Sequence, residues 1–346
     1  MALHNRINNK ILKEKLTKLQ EERTTLSFYR YHSLNEPVTF RDNLYKELDK
    51  LGVMGRIYIA HEGINAQISV KNENFDQLKD FLFSYPFMQG MRLNIAVDDN
   101  GKSFFKLKIQ VKKKIVADGL DDSSFDASNS GAHLKAKDFN QLADNPGTVI
   151  VDMRNHYESE VGHFKNAVCP DVDTFRDSLP VVEQILQERK ADNVIMYCTG
   201  GIRCEKASAW FKHRGFNNVF QLDGGIIEYA RQVKEENLEN KFVGKNFVFD
   251  ERLGERISEE VISVCHLCGT PSDTHTNCKN EACHLLFIQC EECADKLSGC
   301  CSEECKSILA MPEDEQKELR KGKAQGRMVF KKGRSEKLLY KPSSHT

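Results

Sequence analysis

The sequence predicts a multidomain chain that joins an α+β unit, a doubly wound α/β unit and a small cysteine-rich module. Three observations carry this. Residues 26–117 alternate strand and helix patterns in an α+β order. After a polar stretch at 118–130, short apolar runs separated by helical patterns take over. Nine of the 12 cysteines then fall between Cys265 and Cys305. A length of 346 residues suits two or three domains with at least one buried core.

Residues 1–25 read as a charged amphipathic helix, with Ile7, Ile11, Leu12, Leu16 and Leu19 at helical spacing. In the unit at 26–117, strands are expected at Leu26–Tyr31, Arg56–Ala60, Ala66–Val70 and Arg92–Val97, with helices at Pro37–Leu51 and Phe75–Phe87. The order strand, helix, strand, strand, helix, strand is the ferredoxin-like arrangement. A last extended stretch, Phe104–Val116, is rich in lysine. Residues 118–130, rich in Asp, Ser and Asn, read as a linker. In the unit at 131–240, Val149–Val151 and Val194–Tyr197 are continuous apolar runs, as in parallel strands buried on both faces. Val219–Leu222 adds a strand, and helices are expected at Lys137–Ala143, Asp173–Leu179, Val181–Arg189 and Cys204–His213. A cysteine-rich module at 241–310 and a basic tail at 311–346 complete the chain; no internal repeat is evident.

The formal net charge of -1 gives no global attraction to nucleic acid, so basic character has to be sought locally. No apolar run is long enough to cross a bilayer. The start of the chain, with Asn5, Arg6, Asn8, Asn9 and Lys10, lacks the apolar core of a secretory signal. The expected compartment is the cytosol, with no membrane partner. There cysteines stay reduced, which points to catalysis or metal binding ahead of disulfides.

The most informative segment is Met196-Tyr197-Cys198-Thr199-Gly200-Gly201-Ile202-Arg203-Cys204. An apolar strand ends at Cys198, two glycines allow a tight turn, and a helical pattern follows. Such a loop can turn successive N–H groups inward beside a helix N-terminus, where a thiolate is favoured. Arg203 adds a planar fork of donors. A cysteine at a strand end can also be a small buried hydrophobe; the glycine pair and the arginine tip the reading toward a catalytic thiol. Cys204, at the start of the helix, is a candidate resolving thiol for an oxidised Cys198, or simply a packed helix residue.

Val151-Asp152-Met153-Arg154-Asn155, Gly162-His163-Phe164-Lys165-Asn166-Ala167, the Cys198 loop and Leu222-Asp223-Gly224-Gly225-Ile226 together resemble a rhodanese domain over about residues 126–238. The resemblance implies that Cys198 is the active-site cysteine and that Thr199, Gly200, Gly201, Ile202 and Arg203 form its cradle. Cysteine-dependent phosphatases use a similar loop with one more residue before the arginine; here only four residues separate Cys198 from Arg203. From about Leu26 to Leu309 the chain resembles the bacterial oxygen-dependent tRNA uridine 5-hydroxylases, a rhodanese-domain family with an acylphosphatase-like N-terminal domain and a cysteine-rich C-terminus. Ile59-Ala60-His61-Glu62-Gly63-Ile64-Asn65, Tyr197 through Ala209 and the cysteine-rich tract carry this closer resemblance. It implies hydroxylation of the wobble uridine 34 of certain tRNAs to 5-hydroxyuridine, with the anticodon region bound and molecular oxygen as co-substrate. The electron donor is not named by any motif: no flavin, haem or nicotinamide signature is visible. A persulfide-carrying sulfurtransferase and a non-catalytic RNA scaffold are the alternatives.

Lys106, Lys108, Lys112, Lys113 and Lys114 are candidate phosphate contacts, and Phe104 and Phe105 candidate stacking partners for unpaired bases. The same lysines would equally suit an edge strand guarded against aggregation. The tail from Lys317 to Lys341 holds ten basic residues, among them Arg320, Arg327, Lys331, Lys332 and Arg334. It reads as a phosphate-binding or a solubilising arm. In the cysteine-rich module, the CxxC pairs and their alternation predict two interleaved structural zinc sites. One would use Cys265, Cys268, Cys290 and Cys293, the other Cys278, Cys283, Cys301 and Cys305. Cys300 could take the place of Cys301, and His266, His275 or His284 that of a cysteine. Iron–sulfur ligation and reduced structural thiols are the competing readings.

Overall fold

The computed structural model describes residues 21–99, 101–121, 125–127, 129–321 and 334–340. Residues 1–20 of the expected N-terminal helix, and Arg327, Lys331 and Lys332 of the tail, lie outside the described residues; the last residues of that expected helix, from Arg23, are strand instead.

The first unit contains β1 (Arg23–Tyr31), α1 (Pro37–Lys50), β2 (Met54–Ala60), β3 (Gly63–Lys71), α2 (Phe75–Phe83), β4 (Asn94–Ile95) and β5 (Leu107–Val111). Its sheet runs β4-β1-β3-β2-β5, antiparallel except that β5 lies parallel to β2 at the edge. Strand alternation divides the two faces. Leu26, Phe28, Ile64, Ala66 and Ile68 pack on Leu44, Leu48, Leu78 and Leu82 of the two helices. Ser27, Tyr29, Asn65 and Gln67 are left on the other face, which is free to meet the rest of the chain. α2 ends earlier than its apolar pattern suggests. Pro86 lacks an amide and biases Tyr85 away from helical geometry, so a 3-10 turn at Pro86–Met88 replaces the last helical turn. The strand expected over Arg92–Val97 pairs only at Asn94–Ile95, and that expected over Phe104–Val116 only at Leu107–Val111.

The second unit contains β6 (Ala132–Leu134), α3 (Ala136–Ala143), β7 (Thr148–Asp152), α4 (His156–Ser159), β8 (Gly162–Phe164), α5 (Phe175–Leu186), β9 (Asn193–Tyr197), α6 (Ile202–His213), β10 (Asn218–Leu222) and α7 (Gly225–Glu236). The parallel sheet β6-β10-β9-β7 is extended by a bridge from Val151 to Val168. It is covered on both faces. Val149, Val151, Val194 and Met196 pack toward α5 and α6, while Ile150, Ile195 and Tyr197 pack toward α3 and α7. The two helices expected on either side of Pro180 are one. Phe175, Leu179, Val182 and Leu186 form a continuous buried stripe across the proline, and that packing outweighs the hydrogen bond Pro180 cannot make.

The chain then returns as β11 (Phe242–Asn246), antiparallel to β8, with β12 (Glu255–Arg256) beside it. A hairpin of β13 (His275–Asn277) and β14 (Leu286–Ile288) leads to α8 (Glu291–Lys296), α9 (Glu303–Leu309) and α10 (Glu313–Arg320). This last region has only a small apolar core, in which Leu285, Phe287 and Leu338 pack among buried cysteines. No helix of the described residues is long and apolar enough to cross a membrane.

Candidate functional site

β9 delivers Cys198 to the carboxyl end of the parallel sheet, and the chain reverses through Gly200 and Gly201 into α6. Gly201 has φ 99°, and a Cβ there would lie 2.8 Å from the Tyr29 hydroxyl, so only glycine fits. Its N–H donates to Cys198 Sγ at 3.2 Å. Gly225 supports the loop from below: a Cβ would come within 2.5 Å of the Cys198 carbonyl, which accepts the Ile226 N–H at 3.0 Å.

Cys198 is 1% exposed, and burial alone would push its thiol up. A hydrogen bond from the Cys204 thiol, the Arg203 charge and the backbone amides of Cys204 and Arg203 outweigh burial and bring it down to about 6. Cys204, fully buried against that sulfur, is itself held well above the ordinary thiol range by burial and by Cys198. It therefore serves as a donor. Arg203 forks onto Glu158 at 2.7 and 2.8 Å. Both terminal nitrogens of that planar fork are thus engaged by a buried carboxylate, and Arg203 acts on Cys198 through its charge. Cys169 is pushed up to about 12 by burial, and His163 contacts the adjacent backbone carbonyl of Phe164 at 3.0 Å; neither joins the site.

Cys198 opens on a cleft of about 220 Å³ between the units. One wall is the polar face of the first sheet. Residues paired across strands share a face, so Asn94, Ser27, Gln67, Arg56 and Lys108 form one row running from β4 to the β5 edge. Asn94, Ser27 and Gln67 line the cleft, and Arg56 and Lys108 continue the row outward. The facing wall comes from the segment after β11: Phe249, Asp250, Arg252 and Glu255. Arg252 donates to Asp250 at 2.9 and 2.6 Å and to Glu255 at 2.7 Å, and burial, opposed by Arg252, raises the Glu255 carboxyl. Phe249 stays partly exposed, 6.0 Å from the Arg203 guanidinium.

The units are latched beside the loop. Lys206 of α6 is buried and donates to Glu62 at 3.0 and 2.8 Å and to Asp118 at 2.5 Å. Tyr29 donates to Glu205 at 3.0 Å, Glu205 is also met by His133 and Gln221, and Arg92 forks onto Asp223.

Among the candidate RNA lysines, Lys108, Lys112, Lys113 and Lys114 are exposed and Lys106 is half-buried. Lys106 lies 5.6 Å from the Phe105 ring and Lys112 5.6 Å from Tyr58. Lys114 is tied to Asp118 at 2.6 Å and to the Leu120 carbonyl. In the tail, Arg320 pairs with Glu281, Arg334 with Asp171 and Lys337 with Glu304, so these cations hold the tail to the body. The structure brings Cys265, Cys268, Cys290 and Cys293 together, and separately Cys278, Cys283, Cys301 and Cys305, with the sulfurs of each group within 4.8 Å of one another. Cys268 and Cys290 are 3.6 Å apart, as are Cys283 and Cys301. A tetrahedral ion with metal–sulfur bonds of ~2.3 Å requires sulfurs ~3.8 Å apart, so both groups fit a metal ion. Cys300 lies outside them, and His266 instead meets Glu160 at 2.6 Å.

Tyr29, Asn94, Glu158, Phe249, Arg252 and Glu255 were not singled out in the sequence. They sit far from Cys198 along the chain, and no local motif marks them. Glu62 lies inside the His61–Asn65 segment, the one sequence signal for the latch.

Family models for a UPF0176 acylphosphatase like domain, a rhodanese-like domain and a rhodanase C-terminal region match residues 23–115, 135–232 and 243–306. A protein of Enterobacter sp. (strain 638) named tRNA uridine(34) hydroxylase is 57% identical over 96% of this chain and 96% of its own length. One of the same name from Yersinia enterocolitica is 58% identical over 96% of this chain and 95% of its own. Similarity of that degree, running through all three units that enclose Cys198, places the chain in the tRNA uridine(34) hydroxylase family.

Proposed function

We propose that the chain hydroxylates carbon 5 of uridine 34 in tRNA, with molecular oxygen as co-substrate and Cys198 as the reacting thiolate. The observation that carries this is a thiol held at about 6 at the base of a cleft walled by all three units. Carbon 5 of uracil is a poor site for oxidation until a nucleophile adds at carbon 6. A thiolate there makes carbon 5 electron-rich. The Cys198 loop supplies that nucleophile at neutral pH, with Cys204 and the loop amides holding its charge. Molecular oxygen supplies the inserted atom, and two electrons from an external reductant, with two protons, release the second oxygen atom as water. Loss of the carbon 5 proton then restores the double bond and returns Cys198. The naming of relatives matched along nearly their whole length counts against the sulfurtransferase alternative.

The substrate's single-stranded anticodon loop suits the cleft. Phe249 offers a ring face on which an unstacked base can lie. Arg56 and Lys108 continue the row that lines the cleft and, with Lys106, Lys112 and Lys113 beside them in sequence, meet phosphates; Lys114, bound to Asp118, supports the fold. The two cysteine groups hold structural zinc: all-thiolate donor sets are closed, with no position for substrate. The small core around them leaves metal to supply folding free energy.

The test uses purified protein and an unmodified tRNA bearing uridine 34, with nucleoside mass spectrometry under oxygen and under anaerobic conditions, a cell extract supplying the electron donor. 5-Hydroxyuridine at position 34 that needs both oxygen and Cys198 is expected. Its formation by Cys198→Ala at the wild-type rate would overturn the assignment.

A further inference from the structure

Asn94 opens β4 at the seam between the first unit and the Cys198 loop, and it is 5% exposed. Its Nδ2 donates to the Gly200 carbonyl at 3.3 Å. A carbonyl only accepts, so this contact sets the amide's orientation, nitrogen toward the loop and oxygen away from it. That oxygen is buried and has no hydrogen-bond partner among the described residues. Native folds rarely leave a buried acceptor unpaired, and where they do, a functional role or a bound water or ion accounts for it. Asn94 lines the same cleft as Cys198.

We infer that Asn94 Oδ1 accepts the N3–H of the target base and so selects uracil against cytosine, an inference that rests on the uridine 34 reading above. Uracil carries a donor at N3. Cytosine carries a lone pair there, which would face the Asn94 oxygen acceptor to acceptor. N3 lies across the pyrimidine ring from carbon 6, so one base can meet Cys198 at one end and Asn94 at the other. The glycine loop serves both contacts: Gly201 presents its amide to Cys198, while Gly200 presents its carbonyl to Asn94 and holds the amide in register with the thiolate. Asn94 is thus a specificity-determining residue, reading N3, one of the two edge positions (with the substituent at carbon 4) at which the two pyrimidines have opposite hydrogen-bonding character.

The experiment compares anticodon stem–loop RNAs carrying uridine, cytidine or 3-methyluridine at position 34, with wild type, Asn94→Ala and Asn94→Ser. Oxidised nucleosides are read by mass spectrometry. Wild type is expected to favour uridine over both analogues by roughly 100-fold or more. Asn94→Ala is expected to lose roughly 10- to 100-fold on uridine and to handle uridine and 3-methyluridine within a few-fold of each other. Its Cys198 alkylation rate should match wild type, which shows that the loop is intact. Asn94→Ser, whose hydroxyl both donates and accepts, is expected to lose most of the uridine preference over cytidine. Variants that keep the wild-type ratios would overturn the inference. So would wild type that turns over 3-methyluridine as fast as uridine, a result that needs no variant to fold. Wild type inactive on all three RNAs would instead overturn the hydroxylase reading beneath it.

Discussion

Replacing Cys204 by alanine removes the strongest interaction that lowers the Cys198 pKa, and its effect can be sized. The thiol is fully buried and donates to the Cys198 sulfur, while the Arg203 charge and the loop amides remain in place. A hydrogen bond to a charged group contributes about 1.5–3 kcal/mol, and each pKa unit corresponds to about 1.36 kcal/mol. Cys198 should therefore rise from about 6 by about 1–2 units. At pH 7 the thiolate fraction would fall from about nine-tenths to about a half or less. The sign follows from the acid's equilibrium: wild-type reactivity is lost only as pH falls through about 6, whereas the variant loses it at a higher pH. Alkylation at Cys198, followed across pH by peptide mass mapping so that the other cysteines do not interfere, reads the shift. A Cys204→Ala profile that overlays wild type would refute the assignment of Cys204 as the donor. A resolving role alone would leave the profile unmoved.

Three further outcomes follow from other parts of the molecule. Lys206→Met removes the cation shared by Glu62 and Asp118, leaving Asp118 to Lys114 alone, and should cost about 1–3 kcal/mol in denaturant unfolding; an unchanged midpoint would show that the latch contributes nothing. Cys278→Ser should reduce the zinc content by one ion from two per chain, measured by elemental mass spectrometry, with a lower melting temperature; full zinc content would contradict the second site. Lys106→Glu with Lys108→Glu should weaken tRNA binding and flatten the slope of its salt dependence by about 2; an unaltered slope would return these lysines to a purely edge-guarding role.

The strand and helix order of the first unit was legible because its alternation is strict: Leu26, Phe28, Ile64, Ala66 and Ile68 enter the core while their neighbours do not. The packing of α1 and α2 is equally plain. The place of β5 beyond β2 was not legible, and with it was lost the row that carries Lys108 into line with Asn94, since that register depends on pairings such as Ser27 with Asn94 and Arg56 with Lys108, more than 50 residues apart. Pro180 misled in one direction, because a local breaker was overridden by a long buried stripe. α7 was missed because Gly224 and Gly225 mask its start, yet their positive φ values are what let the chain pass beneath the Cys198 loop. Cys198 and its loop form a local motif and stand out in the sequence. The groups that define what can approach it, Asn94, Phe249, Arg252 and Glu255, arrive from other units through tertiary packing alone. The cysteine groups are the opposite case. Pair spacing and alternation are visible without a fold, and the structure sets the same four-sulfur groups within bonding reach of one ion each.

Trapping the base on the enzyme tests the role of Cys198 as the attacking thiolate. An anticodon stem–loop with 5-fluorouridine at position 34 cannot lose a proton from carbon 5, so a thiolate added at carbon 6 should remain attached. The expected result is a covalent RNA–protein adduct, mapped by peptide mass spectrometry to Cys198 and absent in Cys198→Ala. An adduct at another residue, or no adduct together with full hydroxylation by Cys198→Ala, would contradict it.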